Sequence, residues 1–247
     1  MIEDMSQRSL RLGARLIGAR NLRVRIEGIE HLPRTGPALL ASRHAHHLYD
    51  GCLLLGSLPR PVHLLVALDW VASPRGRQVM EKACALARWP VVLRSERLQP
   101  APAAASAYAA AEAGRYLRHA VRDALALLRE GRILAVFPEA YPNIDPRATP
   151  KADREAFLPF RSGVIRLAEM AQRQGGDPVP IVPAGLSYQP GRRWQVTLRF
   201  GAPVLITSRA NRSRVLDAVE AAVRQLSTPA PCVRYAGQVM EGAGRRG

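Results

Sequence analysis

Residues 36–50 read Gly36-Pro37-Ala38-Leu39-Leu40-Ala41-Ser42-Arg43-His44-Ala45-His46-His47-Leu48-Tyr49-Asp50. The apolar run Ala38–Ser42 follows a Gly-Pro turn and passes directly into a polar cluster. A second apolar run, Cys52–Leu58, comes next and ends near Pro59. A short buried-type strand, a polar turn and an apolar helical run make a strand-to-helix unit.

Working outward, the same alternation continues in both directions. Strands are predicted at Leu22–Glu27, Val62–Ala67, Pro90–Leu93, Ile133–Phe137, Val179–Pro183 and Trp194–Phe200. Helices are predicted over 2–20, Pro74–Ala87, about 115–130, Gly163–Gln174 and about Arg209–Leu226. In the helix near 115–130, Leu117, Val121, Leu125 and Leu128 recur at helical spacing, and Gly131 stands where a left-handed residue ends a helix. Strands alternating with helices predict an α/β fold: a single domain with a mostly parallel central sheet flanked by helices, plus an N-terminal amphipathic helix. Residues 1–21 are read as that helix, 22–226 as the domain and 227–247 as a loose tail. The Ala- and Pro-rich stretch 99–114 reads as a surface insertion, and 141–156 as a long polar loop.

The 247 residues suffice for one domain with a substantial core. Lys plus Arg number 36 against 20 acidic residues, a formal charge of +16, which implies an anionic partner. Aromatic residues make up only 5%, with no stacking motif or zinc-finger spacing, so no nucleic acid is expected. Cys52, Cys84 and Cys232 are scattered, which argues against a disulfide framework and fits a reducing cytoplasm. Apolar runs fall far short of the roughly 20 residues of a spanning helix, and 1–20 lacks the pattern of a secretory signal. In the helix over 2–20, Arg8, Arg11 and Arg15 share one side, with Met5, Leu10, Leu12, Leu16 and Ile17 around the rest. Such a helix either lies on anionic lipid or packs on its own domain with a solvated basic face. The expected location is cytoplasmic, peripheral to the inner face of the cell membrane.

Polar clusters stand at strand ends, where open α/β sheets build their sites. A histidine of the 44–47 segment near Asp50 has the makings of a general base with an orienting carboxylate. His46 and Asp50 lie four apart, on one helical face. A metal site would need more ligands, and His31, His63 and His119 stand in no pattern with these, so no metal is expected. Glu139 follows a strand and is fixed by Pro138. Arg94, Arg161 and Arg166 offer guanidinium forks suited to phosphate, and Gly163 at a helix start offers backbone N–H groups. There is no Gly-x-Ser-x-Gly elbow, phosphate-binding P-loop or dinucleotide fingerprint.

Taken in order, these clusters resemble the glycerolipid acyltransferases, the family that contains lysophosphatidic acid (1-acylglycerol-3-phosphate) acyltransferase. The resemblance spans about residues 22 to 206. Residues 36–44 resemble the strand leading into the family's Asn-His, and Asp50-Gly51 its Asp and following helix. Trp89-Pro90-Val91-Val92-Leu93-Arg94 is similar to the second block, and Phe137-Pro138-Glu139-Ala140 to Phe-Pro-Glu-Gly. Phe160-Arg161-Ser162-Gly163 resembles the companion of that block, and Val179-Pro180-Ile181-Val182-Pro183-Ala184 the fourth. Arg199-Phe200-Gly201-Ala202-Pro203 looks like a late strand and turn.

The resemblance implies direct transfer of a fatty acyl group from acyl-CoA or acyl carrier protein, as co-substrate and without a cofactor. The acceptor would be the hydroxyl of a lysophosphatidic-acid-like lipid at an anionic membrane surface. His44 would be the base and Asp50 its orienter. Pro138 and Glu139 would hold the acceptor's polar backbone, and Arg94, Arg161 and the Gly163 turn its phosphate. The family pattern of His, four residues, Asp would place the base at Ala45. Alignment from the upstream strand favours His44, with one extra residue before Asp50; His46 is the alternative and His47 the third. Ala140 stands where Gly is usual, which leaves the shape of that loop open.

Overall fold

A computed structural model describes residues 2–98, 106–145, 149–153, 156–173, 178–206 and 212–229. Helix α1 (Ile2–Asn21) leads directly into β1 (Leu22–Glu27). Then follow β2 (Ala38–Ser42), α2 (Tyr49–Ser57), β3 (Val62–Leu64), β4 (Val66–Ala67), α3 (Pro74–Ala87) and β5 (Val91–Val92). The second half holds α4 (Ala113–Arg129), β6 (Ile133–Val136), α5 (Gly163–Arg173), β7 (Ile181–Gln189), β8 (Trp194–Phe200) and α6 (Arg212–Ser227). The main sheet has the order β1-β8-β7-β2-β6-β3, and every pairing is parallel except β7–β8. Two apolar layers cover its faces: α2 packs on one, and α4, α5 and α6 on the other. This is the single α/β domain the alternation predicts.

Three details depart from the sequence reading. The run Val62–Ala67 is two strands. Leu65 N donates to Ala135 O in the main sheet at 2.9 Å, whereas Val66 N turns to Pro90 O at 3.0 Å, so β4 pairs with β5 in a separate parallel sheet. Strand β7 starts at Ile181 and runs to Gln189, past the predicted end at Pro183, because β8 supplies an antiparallel partner beyond the end of β2. Gly185 hides this extension from a pattern reading. It is there for space: a Cβ would lie 2.3 Å from the Leu226 carbonyl carbon of α6.

The third departure is α1. It packs on its own domain through Gln7 and Ala14, with Arg8 exposed, but two of its arginines are tied down rather than left in solvent. Arg11 Nη2 donates to Leu58 O at 2.5 Å and Arg15 Nε to Gly56 O at 2.9 Å. These carbonyls close the C-terminus of α2, where cations are favoured by the helix dipole. Burial, followed by the charge of Arg15, lowers the pKa of Arg11. Leu12 and Leu16 point outward, 60% and 65% exposed, with Ile17 beside them. The side chain of Met5, residues 99–105, Gln174, 209–211 and the tail beyond 229 lie outside the described residues. Within the predicted insertion, 110–112 form a turn of 3-10 helix that leads into α4. No helix among the described residues is long and apolar enough to cross a membrane.

Candidate active site

The carboxyl ends of β2 and β6 lie side by side, since Ala41 pairs with Val136. Each strand therefore delivers its polar cluster to the same corner. Asp50, in the first turn of α2, is fully buried. Its Oδ2 accepts from His44 Nδ1 at 2.9 Å, Ala45 N at 2.6 Å and His46 N at 2.9 Å, and its Oδ1 from Tyr188 Oη at 2.7 Å. Four donors satisfy a buried anion, which would otherwise be costly. Burial, then Asp50, raises the Tyr188 pKa well above the usual phenol range, so Tyr188 remains a donor.

The acceptor at Oδ2 sets the His44 tautomer: Nδ1 carries the proton and Nε2 the lone pair. The ring stacks on Phe137 at 4.3 Å between centroids, and 16% of its side chain stays exposed. A partly accessible imidazole, fixed by a buried carboxylate, can take a proton from a ligand.

His46 and His47 are engaged otherwise. His46 Nδ1 accepts from Leu48 N at 3.2 Å and Tyr49 N at 3.4 Å, capping the start of α2. Burial, then His47, depresses the His46 pKa to about 4, against a smaller opposing pull from Asp50. His47 Nδ1 lies 3.1 Å from Ile144 O. The geometry thus gives the Asp50 contact at ring distance to His44.

Glu139 arrives from β6 through a turn in which Ala140 N donates to Phe137 O at 2.9 Å. Both its oxygens face the chain. Oε1 accepts from His44 N at 2.9 Å; Oε2 accepts from Leu158 N at 3.1 Å and Lys151 Nζ at 2.6 Å. Lys151 also donates to His44 O at 2.8 Å and Asn143 Oδ1 at 3.0 Å. Glu139 and Lys151 therefore grip the His44 backbone from both sides. Burial lowers the Lys151 pKa, and Glu139 opposes that. Ala140 has φ 66°, so the loop keeps the left-handed turn that Gly would favour. Arg94 Nη1 donates to Ala140 O at 2.7 Å and pins this turn.

Arg94 is not an idle phosphate fork. Its Nε lies 3.0 and 3.1 Å from the two Asp69 oxygens and its Nη2 2.8 Å from Oδ2, all buried. Arg161 pairs with Glu96 and is half exposed; its backbone N donates to Pro138 O at 3.0 Å. Arg94, Arg97 and Arg161 surround the Tyr141 ring at 4.4, 5.9 and 6.0 Å. Gly163 begins α5 on the surface, where an added Cβ would meet nothing within 4 Å. Arg166 lies on α5, where its N donates back to Ser162 O at 3.1 Å, and among the described residues it makes no bond to this cluster.

Sequence reasoning missed Tyr188, Lys151, Asp69 and Arg97. Tyr188 lies beyond the predicted end of its strand. Lys151 carried one signal: it and Lys82 are the only lysines in an Arg-rich chain. Among the described residues no group of three or more His, Cys, Asp or Glu is placed to hold a metal ion.

A buried carboxylate fixing one imidazole, at the carboxyl end of a mostly parallel sheet, is an arrangement capable of general-base chemistry. The sequence profile of the Acyltransferase family matches residues 23–187, and the chain belongs to that family. Among solved structures it is similar to the crystal structure of the 1-acyl-sn-glycerophosphate (LPA) acyltransferase PlsC from Thermotoga maritima. That match has a TM-score of 0.54 and 18% identity, covering 90% of this chain and 81% of that one. It establishes a shared fold. No curated protein matches the sequence.

Proposed function

We propose that the protein transfers a fatty acyl group from an acyl thioester, acyl-CoA or acyl carrier protein, to the hydroxyl of a lysophosphatidic-acid-like glycerophospholipid. The setting is the surface of an anionic membrane, and the role is in phospholipid biosynthesis. The observation that carries this reading is the 2.9 Å contact between His44 Nδ1 and buried Asp50 Oδ2 beside an accessible imidazole edge. His44 Nε2 takes the hydroxyl proton as the oxygen attacks the thioester carbonyl. The C–S bond then breaks, and the imidazolium returns its proton to the departing thiolate. Asp50 stabilises the imidazolium in between. Glu139 and Lys151 act by holding the His44 backbone, and the outward Leu12, Leu16 and Ile17 of α1 suit contact with lipid.

A second reading, the same transfer to a lipid acceptor without a phosphate monoester, is favoured by the arginine cluster. Asp69 and Glu96 already offset two of the three charges on Arg94, Arg97 and Arg161. One assay separates the readings: incubation with acyl-CoA or acyl carrier protein and either lysophosphatidic acid or its dephosphorylated counterpart, with mass spectrometry of the lipids. His44→Ala should lower the rate by roughly 10²–10⁴ with the fold intact. Full activity in that variant overturns the base assignment, and no product with any acceptor overturns acyl transfer.

A further inference from the structure

Away from the histidine corner, a cleft of about 510 Å³ is lined by Arg20, Arg23, Arg192, Arg193 and Gln195. In a chain of charge +16, surface arginines are expected, and Arg20 alone would be an ordinary cation at the C-terminus of α1. The cleft is more than that. Four guanidinium groups converge on one concavity with no carboxylate in its lining, and among the described residues Arg20, Arg23 and Arg192 have no ion-pair partner. Like charges held together are unfavourable unless something anionic joins them, and a concave wall concentrates their field. The arrangement is also fastened: Arg193 Nη1 donates to Ala19 O at 3.0 Å, tying the β7–β8 turn to the end of α1. Arg23 and Gln195 are register partners on parallel strands.

Topology places this cleft at the same end of the sheet as His44. β7 runs parallel to β2 and extends past it, and β8 begins where β7 ends, with Gln189 opposite Gln195. The link is continuous: Asp50 accepts from Tyr188, whose ring packs edge-on against Trp194 at 5.9 Å, and Arg193 and Gln195 flank Trp194. On the other side, Leu12, Leu16 and Arg20 follow one another at intervals of four along α1, so the exposed leucine stripe ends at the cleft.

We propose that this cleft is a binding site for clustered phosphate groups. Guanidinium forks pair phosphate oxygens two at a time, and four of them suit a ligand with more than one phosphate charge. Two sources carry that chemistry: the phosphorylated nucleotide end of a CoA thioester, and the headgroups of an anionic bilayer. The first rests on the acyl-transfer reading above; phosphate binding itself does not.

The test uses the full chain and two charge-matched double variants: Arg23→Glu with Arg192→Glu in the cleft, and Arg129→Glu with Arg214→Glu, exposed positions on α4 and α6. Binding is measured by calorimetry with CoA and with adenosine 3′,5′-bisphosphate. Flotation is measured with phosphatidylcholine vesicles with and without phosphatidylglycerol. The cleft pair should weaken at least one of these by about tenfold or more, the loss expected from two charge-assisted contacts, while the control pair changes it by less than about twofold. Loss confined to the soluble ligands identifies the donor as source, and loss confined to vesicles identifies the headgroup. Equal loss in both pairs assigns the effect to overall charge and overturns the proposal, as does wild-type protein that binds neither ligand. Cleft-dependent binding in a protein that forms no acylated product keeps the proposal and rejects acyl transfer instead.

Discussion

Ala140 carries a left-handed backbone angle that an L side chain resists by about 1–2 kcal/mol. Replacing it with Gly removes that strain and adds about 0.5–1 kcal/mol of chain entropy to the unfolded state. Ala140→Gly should therefore stabilise the protein by about 0.5–1 kcal/mol, a rise of roughly 2 °C in melting temperature. A lower melting temperature would show that the turn is relaxed as it stands. His46 gives a pH prediction. Its folded pKa, about 4, lies below the ordinary 6.5, because burial disfavours the charged ring and His47 beside it adds to that. The unfolded chain binds the proton first as pH falls. The stability contributed by the neutral ring is therefore complete above 6.5 and lost between 6.5 and about 4, on the order of 3 kcal/mol in all. In His46→Asn the amide oxygen can stand in for Nδ1 without titrating, so stability measured by urea melts should become flatter across that interval. An unchanged acid slope would mean that other groups govern it.

At the scale of elements, α1 shows how far a sequence pattern can be read. The wheel correctly separated arginines from leucines, but not which side meets the domain. Gln7 and Ala14 take the inner face, and Arg11 and Arg15 reach from beside it to two carbonyls at the end of α2, Gly56 leaving room for the Arg15 stem. The leucines are left outside. Leu12→Ser with Leu16→Ser should then lower vesicle binding several-fold while leaving the thermal melt nearly unchanged, since exposed positions contribute little to folding. A cooperative loss of stability would show that these leucines are covered by the protein itself. The division of Val62–Ala67 into two strands was hidden for a related reason. Both halves are apolar and extended, and only the partner changes, at Leu65.

For the whole molecule, strand and helix alternation made the layer architecture and parallel sheet legible, because burial on both sheet faces leaves short apolar runs such as Ala38–Ser42 and Ile133–Val136. The corner was legible as far as its chain-local parts, His44, Asp50 and Glu139. Its long-range parts were not: Tyr188 reaches Asp50 across 138 positions, and Lys151 reaches the His44 carbonyl across 107. No local pattern encodes such meetings. The arginines read as phosphate forks were legible as charges only, since their carboxylate partners Asp69 and Glu96 are set by the fold.

The Lys151 ammonium joins its own stretch of chain to the carbonyl of the proposed base and to Glu139 at once. That clasp couples the placement of Lys151 to that of the His44 backbone. Loosening that ammonium should therefore loosen the backbone that carries the ring, leaving Asp50, Glu139 and the Phe137 stack as its remaining holds.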